Sequence, residues 1–402
     1  MTRRILLVDA DAFYVSVARL ADPEGAGRAA LLLVGGSAER RGVVMSASYE
    51  ARGYGVRSAM PMARALRLCP AALVAPVPWE LCGQKSAQIR DVLAQFAPGV
   101  ERASSDEFYL DLTGTERLYG GEPLATTARR MRDAVLAETQ LSVSIGGGTS
   151  KLVAKLAAGV AKPVPGTAGD GVWVVAPGAE EEFMRRFSLA DLPQIGPKTQ
   201  ERLARRGLRT VTDVVACDRA TLVQLLGERE GTWLFDRVRG RDASSVDSRD
   251  LPKSLSRDET FPRDIADDAG LAAELLRLAD RASADLREAK LVARTVTVKL
   301  RDADFTTRQA SRTLPAPVQS DRAVYAVARE LLGKLRAARN VPARLVGVSL
   351  SQLLPADARV ELSLFDVGDA AGIETERDRT IAQAVDQVRE RFGPESLKRG
   401  RL

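Results

Sequence analysis

Along most of this chain, apolar residues fall into short continuous runs and helical stripes separated by polar punctuation. Ile5-Leu6-Leu7-Val8 predicts a buried strand, as does Ala30 to Val34, which ends at Gly35-Gly36. Glu101 to Ser104 and Glu107 to Leu112 predict paired strands, followed by a helix from Pro123 to Glu138 and a strand from Ser142 to Gly146. That order predicts a compact α+β layer with helices on one face of its sheet. From Leu189 to Arg241 the stripes are short and helical, broken at Gly196-Pro197, Gly207 and Gly227, and basic residues outnumber acidic ones. The Ser- and Asp-rich run from Arg241 to Asp250 reads as a linker. Beyond it come a strand (Ser254 to Thr260), a helix (Ile265 to Ala289), two strands (Ala293 to Arg301, Phe305 to Leu314), a helix (Asp321 to Ala338) and a strand (Leu345 to Leu353). This βαββαβ order predicts a separate small sheet domain. The remainder, Pro355 to Leu402, is polar apart from an apolar knot at Leu362 to Phe365 and an amphipathic stripe from Glu374 to Phe392. No internal repeat suggests a solenoid or a propeller.

Composition narrows the chemistry. The 402 residues are 45% hydrophobic, enough for real cores in several domains, and include no histidine. A Ser-His-Asp triad, a Cys-His pair, a zinc-histidine site and any imidazole base are therefore excluded, whereas phosphoryl chemistry needs none of them. Cys69, Cys82 and Cys217 are odd in number and lack CxxC spacing, which argues against a disulfide framework and for a reducing, cytoplasmic setting. The apolar run after the basic N-terminus is too short for a signal peptide, and no stretch is long enough to span a membrane. With 59 Lys+Arg against 53 Asp+Glu, the net charge of +6 points to a polyanionic partner. Only ten of those basic residues are Lys, and Lys151, Lys155, Lys162 and Lys198 fall in one short stretch. Either compact ammonium charges are needed there, or codon bias scattered them so.

Three carboxylates stand where strand ends can bring them together. Asp9 closes the first predicted strand, and Asp106-Glu107 begins another. Neighbours along a strand face opposite ways, so both members of that pair reach one site only at a hairpin end, which the spacing allows. An all-oxygen set of this kind suits Mg²⁺ and two-metal phosphoryl transfer; the alternative is a helix cap at Asp9 or Asp11 and a solvated turn at Asp106. Tyr49 and Arg52 offer a phenol and a guanidinium fork on one side of a helix start, suited to phosphate, although surface arginines are common in such settings. Gly146-Gly147-Gly148-Thr149-Ser150-Lys151 lacks the Gly-Lys-Ser/Thr order of a phosphate loop and reads instead as a tight strand-to-helix connection. Leu192 to Thr199, with Gly196-Pro197 at its turn, has the look of a helix-hairpin-helix that presents backbone N–H groups to a nucleic-acid phosphate; an ordinary helix corner can carry the same Gly-Pro.

Taken together, Val8 to Tyr14, Ser48 to Pro61, Ser104 to Thr113 and Ser150-Lys151 to Lys162-Pro163 resemble the successive motifs of the Y-family DNA polymerases, most nearly the bacterial DNA polymerase IV (DinB) branch. The resemblance covers residues 1 to about 353 and implies a multidomain α+β right hand. Its parts would be a ferredoxin-like palm (1–14 and 80–173), small fingers (15–79), a helical helix-hairpin-helix thumb (174–240), a linker (241–251), a βαββαβ little finger (252–354) and a tail (355–402). It implies two Mg²⁺ ions, replaceable by Mn²⁺, on Asp9, Asp106 and Glu107 with the Ala10 carbonyl. Tyr49, Arg52, Lys162 and the backbone N–H groups of Ala12, Phe13 and Tyr14 would hold the dNTP. Tyr14 would be the steric gate against a ribose 2′-hydroxyl. Ile195, Gly196, Lys198 and Thr199 of the hairpin, with Arg301 and Arg308 of the last domain, would grip primer-template DNA. Glu361-Leu362-Ser363-Leu364-Phe365 is similar to the clamp-binding peptide of bacterial polymerases, with Glu361 in place of the usual Gln, and implies a sliding-clamp partner.

The resemblance departs from the family pattern at Ala10 and Ala12, which are small, and at Ser105, which is polar where an apolar residue normally precedes the Asp-Glu pair. The expected activity is template-directed DNA synthesis of low fidelity, acting in translesion synthesis as a monomer without a proofreading exonuclease. Small residues such as Ser58 and Ala59 in the fingers suit a roomy lid. Competing classes are a catalytically idle DNA and clamp adaptor, from which the complete carboxylate set distinguishes this chain, and a polymerase active only within a larger assembly. The helix from Glu374 to Phe392 has no role in the family pattern.

Overall fold

The computed structural model describes residues 2–163, 169–247, 251–358, 373–393 and 396–397. The chain divides into two units, one of Met1–Ala38 and Gly42–Arg249, the other of Asp250–Leu402 together with Glu39–Arg41. The first begins with β1 (Ile5–Ala10), α1 (Phe13–Ala21), β2 (Leu32–Gly35), β3 (Val44–Ala47), α2 (Tyr49–Gly53), α3 (Met62–Leu68) and β4 (Leu73–Ala75). It continues with α4 (Trp79–Leu93), β5 (Val100–Arg102), β6 (Glu107–Asp111), α5 (Leu124–Thr139), β7 (Val143–Gly148), α6 (Lys151–Ala161) and β8 (Val172–Val174). Five short helices follow: α7 (Glu180–Met184), α8 (Pro197–Ala204), α9 (Val211–Val215), α10 (Arg219–Leu226) and α11 (Glu228–Arg237).

A five-stranded sheet, in the order β5-β6-β1-β7-β8, carries the centre of this unit. Every residue of β1 is buried, because both faces of the strand are covered. Leu6, Val8 and Ala10 pack with Ile89, Leu93, Met131 and Val135 of α4 and α5, while Ile5 and Leu7 face Ala154 and Ala158 of α6. The expected layer with helices on one face is thus corrected: α6 covers the opposite face. The glycine run explains how it gets so close. Gly146, Gly147 and Gly148 lie within β7 rather than in the connection after it. A Cβ on Gly146 would come within 2.1 Å of the Ala158 amide nitrogen and the Ala154 carbonyl of α6, so only glycine lets the helix backbone reach the strand. Ser150 then caps α6, accepting from the Val153 amide at 3.2 Å while donating to the Gly240 carbonyl at 2.8 Å.

β3, β2 and β4 form a separate small sheet, with Ala51, Met62 and Ala65 packed against Leu33 and Val44. The helical segment α7–α11 packs on Leu192, Ile195, Leu203, Val214, Leu222 and Leu234 in a core that it shares with Leu152, Val153, Leu156 and Ala157 of α6. Its breaks at Gly207 and Gly227 both have positive φ, of 81° and 88°, which ends a helix at little steric cost in glycine.

The second unit comprises β9 (Ser254–Ile265), α12 (Asp268–Glu288), β10 (Leu291–Asp302), β11 (Thr307–Val318), α13 (Asp321–Ala338), β12 (Ala343–Pro355) and α14 (Glu376–Phe392). Its antiparallel sheet has the order β11-β10-β12-β9, and α12 and α13 share one core with it. The expected helix start at Ile265 moves to Asp268, because β9 runs on to Ile265 and Asp267 caps the helix through the Ala269 and Gly270 amides. The C-terminal stripe is a helix fastened to this unit. Arg287 grips both oxygens of Asp386 at 2.6 and 2.7 Å, Arg389 pairs with Asp280 at 2.8 Å, and Glu374 accepts from the Gln319 and Ser320 amides. The peptide Glu361 to Phe365 lies outside the described residues. Among those residues, no helix is long and apolar enough to cross a membrane.

Candidate active site

Strand register brings two of the predicted carboxylates face to face. Asp9 on β1 is paired directly with Glu107 on β6, so both side chains leave the same face of the sheet, the one covered by α6. Asp106 occupies the turn just before β6, where its carbonyl accepts from the Ala10 amide at 2.9 Å. The pair Asp106-Glu107 therefore sits at a hairpin end. Ser104 anchors that turn, donating to Asp106 Oδ1 at 2.6 Å and accepting from the Glu107 amide at 3.0 Å.

Two of the clustered lysines answer these carboxylates. Lys162 Nζ donates to Asp9 Oδ1 at 2.8 Å, and Lys155 Nζ reaches both oxygens of Glu107 at 2.7 Å. A third, Lys151, pairs with Glu101 and stands 4.5 Å from the centre of the Tyr109 ring. Lys198 does not join them; it is exposed on α8. Burial pushes Asp9 up to about 6, outweighing Lys162, and the nearby charges of Glu107 and Asp106 push in the same direction. Asp9 is thus a desolvated anion beside other anions, with one ammonium on one oxygen. Among the described residues, no three acidic side chains are already gathered around one point. A hard divalent cation fits this all-oxygen set.

Asp11, two residues after Asp9, is buried and serves differently. Ser142 and Ser144 donate to its two carboxylate oxygens at 2.9 and 2.7 Å, and its amide donates to the Ser142 carbonyl. It locks the chain leaving β1 onto β7. Ala12 follows in the left-handed region, at φ 44° and ψ 45°, and starts α1 without a capping side chain. The first-turn amides of Phe13 and Tyr14 consequently have neither an intrahelical acceptor nor a side-chain cap, and they are available to an anion. The short α2 places Tyr49 and Arg52 together, with the Arg52 guanidinium 5.2 Å from the Tyr49 ring centre and its Nε donating to the Ala47 carbonyl at 3.0 Å. The Tyr49 hydroxyl is buried and has no hydrogen-bond partner among the described residues. Burial raises it to about 12, with Asp11 and Asp9 adding to the rise and Arg52 opposing it. An orphaned hydroxyl within electrostatic reach of those carboxylates is a group in need of a ligand.

Tyr14 half-emerges from α1. Its hydroxyl lies 3.0 Å from Ser105 Oγ, and its ring makes an edge contact with Trp79 at 6.1 Å. Sequence reasoning missed both contacts; the polar Ser105 ahead of the Asp-Glu pair was the available signal for one. Of the expected DNA-binding residues, Gly196 and Lys198 are exposed and Thr199 is half-buried at the start of α8, which Gly196 caps without a side chain. Ile195 is buried in the helical core, so only its backbone can face a ligand. Arg301 donates to Thr307 Oγ1 at 2.9 Å on the sheet surface. Arg308 is engaged within the fold: its guanidinium is held by both oxygens of buried Asp302 and by the Leu335 and Arg339 carbonyls. Four hydrogen bonds inside the fold pin β11 to the end of α13.

Residues 8–159 match the model of the impB/mucB/samB family, and 252–364 that of the family's C-terminal domain. Residues 190–242 match a model described as the DNA polymerase-iota thumb domain. The chain is 39% identical over 360 residues to the DNA polymerase IV of Halorhodospira halophila, covering 90% of this chain and 98% of that one. It is 34% identical over 400 residues to the DNA polymerase IV of Caulobacter vibrioides, covering 100% and 94%. A solved Y-family DNA polymerase chimera shares the fold with a TM-score of 0.76 over 87% of this chain and 99% of the other, at 23% identity. This chain belongs to the Y-family of DNA-directed DNA polymerases.

Proposed function

We propose that this chain extends a primer 3′ end against a DNA template by phosphoryl transfer at the site around Asp9, Asp106 and Glu107, with the low fidelity of a translesion polymerase. The observation that carries this reading is the register pairing of Asp9 with Glu107 at a hairpin end that also bears Asp106. Asp9, Asp106, Glu107 and the Ala10 carbonyl would hold two Mg²⁺ ions, or Mn²⁺ in their place. Bound there, the metal would neutralise phosphate charge and acidify the primer hydroxyl, which removes the need for a protein base in a chain without histidine. Lys162, now on Asp9, would turn to the triphosphate together with Arg52 and the Tyr49 hydroxyl, while the open amides at the start of α1 cradle its phosphates. Tyr14 would close the sugar end of the pocket against a 2′-hydroxyl. Exposed Ser58 and Ala59 give the lid over the nascent pair little bulk, which supports tolerance of distorted templates.

The same reading assigns palm to 1–14 and 80–173, fingers to 15–79, thumb to 174–240, linker to 241–251 and little finger to 252–354. Gly196, Lys198 and Thr199 would contact DNA backbone in the thumb, and Arg301 in the little finger; Arg308 is left out. The chain would act as a monomer, with Glu361 to Phe365 docking on a sliding clamp. Primer extension by the full chain with Mg²⁺ and single dNTPs, beside Asp106→Ala, tests the core of the proposal. Extension lost only in the variant supports it; no extension by the parent despite tight primer-template binding would point to an adaptor. For the clamp peptide, Leu364→Ala with Phe365→Ala should spare distributive synthesis and lose clamp stimulation, and equal stimulation of variant and parent would sink the assignment.

A further inference from the structure

We propose that Ser105 is a positioning residue for the sugar-discriminating ring: its hydroxyl latches Tyr14 in place and thereby sets how strictly ribonucleotides are refused. This rests on the reading of Tyr14 as the steric gate. A gate excludes a 2′-hydroxyl only while its ring stays put, and Tyr14 is on the first turn of a helix whose N-terminal residue, Ala12, offers no side chain to steady it. The ring is half-buried and packs against the apolar cores beside β1 and β2, and two specific contacts from elsewhere in the chain add to that packing. The Trp79 ring meets the Tyr14 ring edge-on at 6.1 Å, but Trp79 is itself 61% exposed and contributes packing rather than a directional bond. The directional contact is at the other end, where Tyr14 OH and Ser105 Oγ are 3.0 Å apart.

What lies behind that bond ties it to the site. Ser105 Oγ is 3.5 Å from Asp106 Oδ1, an acceptor without a proton to give when ionised. Either hydroxyl can donate in the Tyr14–Ser105 pair, and in both directions the bond fixes the phenol oxygen at Ser105. Ser105 sits in the β5–β6 turn, the same turn that presents Asp106, with Ser104 bonded to the same carboxylate oxygen. The gate is thus tied through one hydroxyl to the backbone that carries the reacting end of the site. An apolar residue at position 105 could pack against the ring but could not fix the phenol oxygen. The consequence is a gate held by a neutral hydrogen bond, which is worth about 3-fold to 10-fold in an equilibrium.

The test is the ratio of kcat/KM for a dNTP to that for the matching rNTP, measured with the full chain on one primer-template. Ser105→Ala and Tyr14→Phe should each lower this ratio by about 3-fold to 10-fold. The double variant should fall no further than either single one, because both remove the same bond, and Ser105→Thr should restore the ratio. Equal losses of dNTP and rNTP use in Ser105→Ala would overturn the latch, since they would mean that the serine acts only on Asp106. So would additive losses in the double variant. Tyr14→Ala separates this proposal from the one beneath it. If that variant loses discrimination while Ser105→Ala keeps it, the gate stands and the latch is wrong; if it keeps full discrimination, the gate reading itself has failed.

Discussion

Two buried aspartates, one in each unit, meet cations in opposite ways. Asp302 at the end of β10 is fully buried, and Arg308 and Arg339 together supply donors to both of its oxygens, at 2.7 to 3.2 Å. Asp9 at the end of β1 is almost as buried, yet it receives a single ammonium on one oxygen and is pushed up to about 6. The first arrangement is saturated and closes a sheet onto a helix. The second is starved of donors and crowded by other carboxylates, beside a buried tyrosine hydroxyl that bonds to nothing described. Burial alone does not separate a structural carboxylate from a reactive one; the count of satisfied lone pairs does. Arginine suits the saturated case through its planar fork, and lysine the starved one, because a single flexible point charge can leave when a ligand arrives.

That contrast can be broken or sharpened in four ways. The largest effect belongs to the starved site: Asp106→Ala should cut primer extension by about 10³-fold or more while leaving circular dichroism unchanged, and chelation of divalent metal should do the same to the parent chain. Next, Arg308→Ala should destabilise the second unit by about 3 kcal/mol, because it strips donors from a buried charge that Arg339 alone must then hold; urea unfolding would show it, and no change would mean that Asp302 had other means of compensation. Lys162→Ala should scarcely alter unfolding, yet it should raise KM for dNTP by about 10-fold, as expected for loss of a charge-assisted contact to phosphate. A large stability loss there would place Lys162 with Arg308 as a structural cation. Smallest is Lys198→Ala on exposed α8, which should weaken primer-template binding a few-fold and lower the salt slope of log K by about 1 if its ammonium meets a phosphate. An unchanged slope would remove it from the DNA face.

Much of this could be read along the chain because it depends on neighbours in sequence. The run Ile5 to Val8 had to be a buried strand, the order of elements after Ser254 had to make a small sheet domain, and a strand end followed by a hairpin was a place where Asp9, Asp106 and Glu107 could converge. What stayed hidden depends on distance across the fold. The helix from Trp79 to Leu93 has a stripe interrupted by polar residues, and that from Phe13 to Ala21 is a short, nearly continuous apolar run, a pattern that a buried strand shares, so local periodicity did not announce either. Arg308 reads as one more surface arginine until α13 brings the Leu335 and Arg339 carbonyls to it. The stripe from Glu374 to Phe392 gave a helix but no dock; its ion pairs reach Asp280 and Arg287, about a hundred residues away.

By itself the sequence determined the buried first strand and the order of elements in the second unit, excluded imidazole chemistry, and supplied an all-oxygen carboxylate set with a cluster of lysines after it. Only the tertiary structure decided which lysine answers which carboxylate, and that α6 lies on the face where they meet. The physical reason is the glycine run in β7. Without side chains on that strand the helix backbone can settle within contact of the sheet, and Lys155 and Lys162 then reach carboxylates 48 and 153 residues earlier in the chain. Hydrophobic periodicity is a property of adjacent residues, whereas ion pairs between distant elements, such as Lys162 with Asp9, are a property of packed surfaces that periodicity does not encode.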